Sequence, residues 1–289
     1  MSTRRAVPVL LCCAIIASAS YIIVVADTSA IATTPEPEVE TEESLELDVE
    51  ATAVSAASFA IFDIETGVVL ASKRAEEKRP IASVTKLFSA AKVLEEVPLE
   101  ATTEITWSDV ETEGRAGSLS AGEQYTNREL LWPLLLESSN DAASALARTN
   151  PELIASMNEY AQSRGLLSFN FSDASGLSAQ NTASARDLAA LTRDLYLSLP
   201  HLFDITQLPQ YVGKQTGWVN NNPFIHDKDY RGGKHGFTYE AGRTGVFIFK
   251  EKLAAENERL LGYIVLGSSD LTADITSLRK EVAESVGSQ

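Results

Sequence analysis

Apolar positions repeat along this chain with two different periods, and the change from one to the other divides it into elements. Ser58-Phe-Ala-Ile-Phe-Asp reads as a strand, Ile64-Glu-Thr-Gly as a turn and Val68-Val-Leu-Ala-Ser-Lys as the returning strand. Val84, Leu87, Phe88, Ala91 and Leu94 then recur at helical spacing, with Pro80 and Ser83 just ahead, so a helix should begin at Ser83. Residues 102–107 predict a short strand, and residues 114–122, with Gly114, Gly117 and Gly122, a loop. Residues 126–137 predict a helix capped by Thr126 or Asn127 and kinked or restarted at Pro133. A cluster of cap-type residues, Ser138-Ser-Asn-Asp, precedes an alanine-rich helix. An amphipathic helix over 151–164 stops at Gly165, residues 169–180 read as loop, and 184–197 form a helix around Leu188, Leu191 and Leu195. Residues 200–228 read as irregular. The last third predicts strands at 233–238, 244–250 and 260–266, the latter two joined by a polar run over 251–259, and a closing helix over 273–285. Two strands, a block of helices, then three strands and a helix predict an α+β fold with a mostly antiparallel sheet.

The N-terminal part of the chain has a different composition. In residues 1–26, Arg4 and Arg5 precede an uncharged apolar stretch from Ala6 to Val25, close to the roughly 20 residues a membrane helix needs. The arginines predict a cytoplasmic N-terminus and an exported remainder. An uncleaved anchor is the favoured reading, because the run resumes at Tyr21 after the small residues Ala17-Ser18-Ala19; a cleaved signal peptide competes with it. Residues 27–51 are acidic and proline-bearing, the composition of an extended linker. Residues 52–289 are left for one folded domain, on the extracytoplasmic side of the membrane. The chain carries 40 acidic and 24 basic residues, a net charge of −16, which argues against nucleic acid as a partner. Cys12 and Cys13 lie in the first segment and His201, His226 and His235 are scattered, so neither a metal nor another cofactor is expected. Trp107, Trp132 and Trp218 are expected to be packing residues, with Trp218 a lesser candidate for touching a substrate.

One short pattern carries chemistry. Ser83 and Lys86 stand three residues apart at a helix start, on one face, where free backbone N–H groups gather. A hydroxyl and an amine so placed form a nucleophile–base pair if the amine is neutral. A free lysine has a pKa of ~10.4, so bringing it near 7 or 8 takes on the order of 4 kcal/mol. Burial and a second cation are the usual means.

Two further patterns follow in order: Ser138-Ser139-Asn140 and Lys234-His235-Gly236. With Ser83-Val-Thr-Lys86, they resemble the motif set of penicillin-binding proteins and serine β-lactamases. The flanks Arg79-Pro-Ile-Ala-Ser-Val-Thr-Lys-Leu, Leu134-Leu-Leu-Glu-Ser-Ser-Asn-Asp-Ala-Ala, Phe171-Ser-Asp-Ala-Ser-Gly-Leu-Ser and Gly233-Lys-His-Gly-Phe-Thr-Tyr-Glu-Ala-Gly extend the resemblance to the low-molecular-mass penicillin-binding proteins, the D-alanyl-D-alanine carboxypeptidase family, over roughly residues 58–268. The resemblance implies a β-lactamase/transpeptidase-like fold, an antiparallel sheet flanked by helices plus a mostly helical subdomain, with the active site between them. It implies Ser83 as nucleophile, Lys86 as base with Lys234 as the nearby cation, and Ser138 as relay to the leaving amine. Asn140 would contact substrate or Lys86. Lys234 and Thr238 would hold the substrate's terminal carboxylate across Gly236, and the N–H groups of Ser83 and Phe237 would form the oxyanion hole.

Two departures stand out. His235 occupies a position where the family carries Thr or Ser and where the resemblance implies a carboxylate contact; a protonated imidazole in that role would strengthen acylation toward pH 6. The segment after the last strand, 267–274, lacks the arginine many relatives carry, and Arg243 and Arg231 are the nearest basic candidates. Between Glu159 and Glu240 there is no glutamate, and Asp173, the only carboxylate near the expected loop, should serve that loop's turn. A penicillin acyl-enzyme should therefore persist, making β-lactams covalent inhibitors. Little more than a helix follows Leu266, so the family's small C-terminal β-domain is not expected. The implied activity is a D-alanyl-D-alanine carboxypeptidase on peptidoglycan stem peptides. The alternatives are a D,D-endopeptidase of the same family and a catalytically weak homologue that only binds peptidoglycan.

Overall fold

In the computed structural model, residues 54–287 are described, apart from 112, 113, 115–117, 214, 215, 255 and 256. The expected segments 1–26 and 27–51 lie outside the described residues. Strand β1 (Ser58–Asp63) is buried along its whole length, as its near-continuous apolar sequence requires of a strand covered on both faces. It pairs antiparallel with β2 (Val69–Lys73) and with the last strand of the chain. Strands β3 (Tyr230–Thr238), β4 (Gly242–Ala254) and β5 (Asn257–Ser268) complete an antiparallel sheet of order β2-β1-β5-β4-β3, with β3 on a free edge. The polar run 251–259, expected as a connector, is instead mostly the extended end of the β4–β5 hairpin, where Lys252 pairs with Glu258.

Side chains alternate across this sheet and divide the core. Ala60, Phe62, Val246, Ile248, Ile264 and Leu266 join the core on one face, and Phe59, Ile61, Phe247, Phe249, Tyr263 and Val265 the core on the other. The second core is closed by Leu271, Ile275, Leu278 and Val282 of the C-terminal helix (Leu271–Gly287). The first is closed by helix α1 (Thr85–Glu96), buried from Thr85 to Val93, and by the helices of the middle of the chain.

Those middle helices start and stop where cap chemistry places them. Helix α2 (Asn127–Trp132) has a capping box, in which Thr126 accepts from the Glu129 N–H and Glu129 returns the contact to Thr126. A cap of this kind contributes about 1 kcal/mol. Pro133 ends α2 and begins a π-helical turn, Pro133–Glu137, that closes with Ser138 in the left-handed conformation at φ 64°. Helix α3 (Asn140–Thr149) follows, then α4 (Leu153–Ser163), stopped at Gly165, and α5 (Ala185–Ser198), capped by Ser184.

Residues 200–228, expected to be irregular, contain a helix at Pro200–Thr206 and a hairpin of Gln210–Val212 with Gly217–Val219. The short predicted strand narrows to Thr102–Glu104, with a helical turn at Trp107–Val110. Trp218 is 1% exposed and stacks on Tyr211, and Trp132 stacks on the same ring, so both are packing residues. Trp107 is 74% exposed, contrary to the expectation that it packs. No helix among the described residues is long and apolar enough to cross a membrane.

Candidate active site

The chain reaches Ser83 through a distorted start. Ala82 has φ 47°, in the left-handed region, and opens a short 3₁₀ turn, Ala82–Val84, ahead of α1. Ser83 therefore lies one turn before the regular helix rather than at its first residue. Positive φ at Ala82 and Ser138 is unfavourable by roughly 1–3 kcal/mol each, and both residues flank the same group of side chains. Thr244 on β4 donates its hydroxyl to the Ile81 carbonyl at 2.8 Å and holds this turn against the sheet.

Lys86 is fully buried and is among the largest buried side chains. Its Nζ lies 3.0 Å from Ser83 Oγ, 2.7 Å from Asn140 Oδ1 and 2.6 Å from the Ser175 carbonyl oxygen. Burial, followed by the positive charge of Lys234, pushes its pKa well below the ordinary lysine value, against a smaller opposing pull from Asp173. A neutral amine has two N–H groups and one lone pair. Asn140 Oδ1 and the Ser175 carbonyl can only accept, so they take the two N–H groups. The lone pair is left facing Ser83, whose hydroxyl can donate to it. The geometry thus orients the amine as an acceptor of the serine proton.

Asn140 is itself fixed, donating Nδ2 to the Gly114 carbonyl at 3.0 Å. Capping of α3 falls to Ser139, which accepts from the Ala142 N–H, and this leaves Asn140 for Lys86 and Ser138 outside the cap. Ser138 is half-buried, at the bend between the π-helical turn and α3.

The Ser175 carbonyl had no side-chain signal in the sequence. It is placed by the loop over residues 171–178, which Asp173 organises: Oδ1 accepts from the N–H groups of Ser175 and Gly176 and from the Ser175 hydroxyl, and Oδ2 accepts from the Ser178 N–H. Asp173 is thus committed to its turn, as expected. Gly176, at φ +84°, is required there, because a Cβ would lie 1.9 Å from the Ala82 carbonyl oxygen. Asp-Ala-Ser-Gly is an Asx-turn pattern, the one feature of the sequence that could have located this loop.

Strand β3 forms the opposite wall. Gly236 packs so closely on Ser83 that a Cβ would lie 2.4 Å from the Ser83 nitrogen. Lys234 is buried on the same face of the strand; its Nζ donates to the His235 carbonyl at 2.7 Å, and burial lowers its pKa to about 7. Thr238 accepts from the Ala241 N–H in the hairpin turn, keeping its own proton to donate. His235 and Phe237 alternate onto the other face. His235, half-buried, has its pKa lowered to about 3 by burial and by the charges of Lys234 and Arg243. That direction runs against the expectation of a protonated imidazole there. His235 and Arg243 line a cavity of about 360 Å³ with Asn221, Ser269 and Asp270. Arg231 instead donates to the carbonyls of Lys228 and Tyr230.

A serine within hydrogen-bond reach of a buried lysine, which an asparagine and a backbone carbonyl also contact, and a lysine-bearing edge strand packed against that serine form an arrangement suited to serine acyl transfer, set between a sheet and a helical layer. Comparison with known proteins identifies its class. The family profile of D-alanyl-D-alanine carboxypeptidases matches residues 45–269, and the chain belongs to that family. A D-alanyl-D-alanine endopeptidase of Pseudomonas aeruginosa is 30% identical over 243 residues, covering 78% of this chain and 77% of the relative. A D-alanyl-D-alanine carboxypeptidase of Mycobacterium tuberculosis is 30% identical over 203 residues, covering 66% of this chain and 69% of the relative. The crystal structure of a D-alanyl-D-alanine carboxypeptidase from the same organism superposes with a TM-score of 0.70 at 26% identity, covering 79% of this chain and 90% of that one. The α+β penicillin-binding-protein fold, with its antiparallel sheet flanked by helices, is thereby established.

Proposed function

We propose that this protein is a serine D-alanyl-D-alanine carboxypeptidase that hydrolyses peptidoglycan stem peptides through an acyl-enzyme on Ser83. The observation that carries the reading is the set of three oxygens around Lys86 Nζ, which directs the amine's lone pair at Ser83 Oγ. In the acylation step, Ser83 Oγ attacks the carbonyl carbon of the penultimate D-alanine while its proton passes to Lys86. The N–H groups of Ser83 and Phe237 take the developing oxyanion. The C–N bond then breaks, and the leaving amine of the terminal D-alanine receives a proton through Ser138. Water hydrolyses the ester and restores Ser83.

Lys234 and Thr238 hold the terminal carboxylate, while His235, between them in the strand, turns its ring to the other face. Arg243 is the basic side chain nearest to that position from β4. Asp173 is committed to its loop and so does not serve to activate water against a penicilloyl ester, which makes β-lactams covalent inhibitors. The N-terminal segment 1–26 would hold the domain on the outer side of the membrane, where peptidoglycan lies, with 27–51 as spacer.

A D,D-endopeptidase is the second reading, favoured by the endopeptidase relative that matches over more of the chain. Incubation of the protein with a pentapeptide and with a crosslinked muropeptide decides between them: released D-alanine identifies the carboxypeptidase, and split dimers the endopeptidase. Labelled penicillin that attaches to the wild type and not to Ser83→Ala supports either one. Absence of labelling from pH 5 to 9 would make the protein a peptidoglycan binder without catalysis.

A further inference from the structure

Three segments meet at Lys86: the turn that carries Ser83, the start of α1, and the loop that presents the Ser175 carbonyl. One buried residue is bonded to all three. Asn181 lies between that loop and α5 and is fully buried. Its Nδ2 donates to Thr85 Oγ1 at 3.1 Å and to the Asp173 carbonyl at 2.8 Å. Its Oδ1 accepts from the Ser172 N–H at 2.9 Å, the Ser172 hydroxyl at 2.8 Å and the Asp173 N–H at 3.2 Å. Its backbone carbonyl accepts from the Ile81 N–H at 2.9 Å, just before the nucleophile turn. A side-chain amide has two N–H groups and one oxygen, and here all of them are used on the loop and on the helix start.

A loop fixes an acceptor only as firmly as the loop itself is fixed. Asp173 shapes the turn from within, whereas Asn181 ties it to α1, 96 residues away in sequence. The tie falls on Thr85, the residue next to Lys86. The loop closes on the same place through Gly176, where an added Cβ would lie 2.9 Å from Thr85 Oγ1. With the Asn181 bridge cut, the loop is free to lift from α1, the Ser175 carbonyl withdraws from Nζ, and water reaches the amine. The charged groups facing Lys86 are Lys234 from β3 and Asp173 from the loop, and burial exceeds both as the cause of its lowered pKa. Rehydration therefore outweighs the lost carbonyl contact, and the pKa of the amine rises.

We propose that Asn181 is a positioning residue for the proton-accepting amine, holding the Ser175 carbonyl loop on Thr85 so that Lys86 stays dry and aimed at Ser83. The inference rests on the reading of Lys86 as base in the preceding section. Single-turnover acylation by labelled penicillin from pH 5 to 9 tests it. In Asn181→Ala the acid limb should move up by about one pH unit, a loss of about ten-fold below the limb that shrinks above it. Thr85→Val, which keeps the side-chain shape and removes the accepting oxygen, should move the limb the same way, and Thr85→Ser, which keeps the oxygen, should leave it in place. Combining Thr85→Val with Asn181→Ala should move it no further than Asn181→Ala alone, because both cut one bridge. A limb that stays in place while the rate falls equally at every pH overturns the proposal and leaves Asn181 a structural residue of the loop. Fully additive shifts overturn it as well. If Asn181→Ala does not fold, the contrast between Thr85→Val and Thr85→Ser decides. Titration of the Lys86 amine in Ser83→Ala, followed by NMR of isotope-labelled lysine, separates this outcome from failure of the peptidase reading. A Lys86 pKa that rises with Asn181→Ala or Thr85→Val, in a protein that penicillin never acylates, would keep the positioning role and remove the peptidase. An unchanged Lys86 pKa in both variants would remove the positioning role.

Discussion

The two walls of the cleft differ in how firmly their functional groups are held. On the helical wall, Lys86 has three oxygen neighbours, Asn140 is bound at both ends of its amide, and the loop that carries the Ser175 carbonyl is fastened by four contacts to Asp173. On the strand wall, Gly236 packs closely against Ser83 and Lys234 is buried two residues before it. His235, Phe237 and Thr238 lie half-buried or exposed along the sheet edge. Proton transfer demands an amine that is dry and fixed, because its pKa and its lone-pair direction both depend on its surroundings. Substrate recognition along an edge strand demands access instead. It follows that chemistry should be intolerant of change on the first wall, and that selectivity can vary on the second.

The largest effect should come from removing the amine. Lys86→Met is expected to slow acylation by labelled penicillin about 1,000-fold, and a loss under ten-fold would break the assignment of Lys86 as base. Next, Lys234→Met should slow acylation roughly 30-fold through lost carboxylate binding. It should also move the acid limb of the rate profile to higher pH, since the Lys234 charge helps keep Lys86 neutral. A lysine that acts only in binding would leave that limb in place at saturating penicillin, and single-turnover rates from pH 5 to 9 distinguish the two cases.

The smallest effect belongs to His235→Thr, expected to change acylation within a few-fold and to leave the shape of the profile unaltered. A wild-type rate that rises toward pH 6, and flattens in the variant, would restore the protonated histidine. Stability gives an independent reading of the same group. Its pKa is lowered from 6.5 to about 3 on folding, so between those values the unfolded chain binds more protons and stability falls as pH falls. His235→Thr should therefore lose less stability than wild type on acidification from pH 6.5 to 4, as measured by denaturant midpoints. Equal losses would show that the ring is solvated.

Much of this was legible in the order of residues, where local rules and tertiary environment agree. The β1 run, the Thr126 cap, the stop at Gly165 and the three motifs that begin at Ser83, Ser138 and Lys234 each announce themselves through periodicity, capping chemistry or spacing. Residues 200–228 were misread because their apolar groups follow neither period for long: a helix of seven residues and a hairpin with three-residue strands are held by packing, as Trp218 stacked on Tyr211 shows. The extension of β4 and β5 was hidden by polar residues, which a two-stranded hairpin beyond the core tolerates.

The sequence by itself determined the fold class, the three motifs and the absence of a spare glutamate for water activation. Those are matters of residue type and spacing along one chain. Only the tertiary structure decided that Lys86 is buried among Asn140, Ser83 and a backbone carbonyl 89 residues away in sequence. Only it decided that His235 lies where burial and neighbouring cations lower its pKa, and that Phe237 and Tyr239 stand in solvent. Charge state and exposure depend on what surrounds a side chain, and those surroundings come from segments that meet only when the chain is folded.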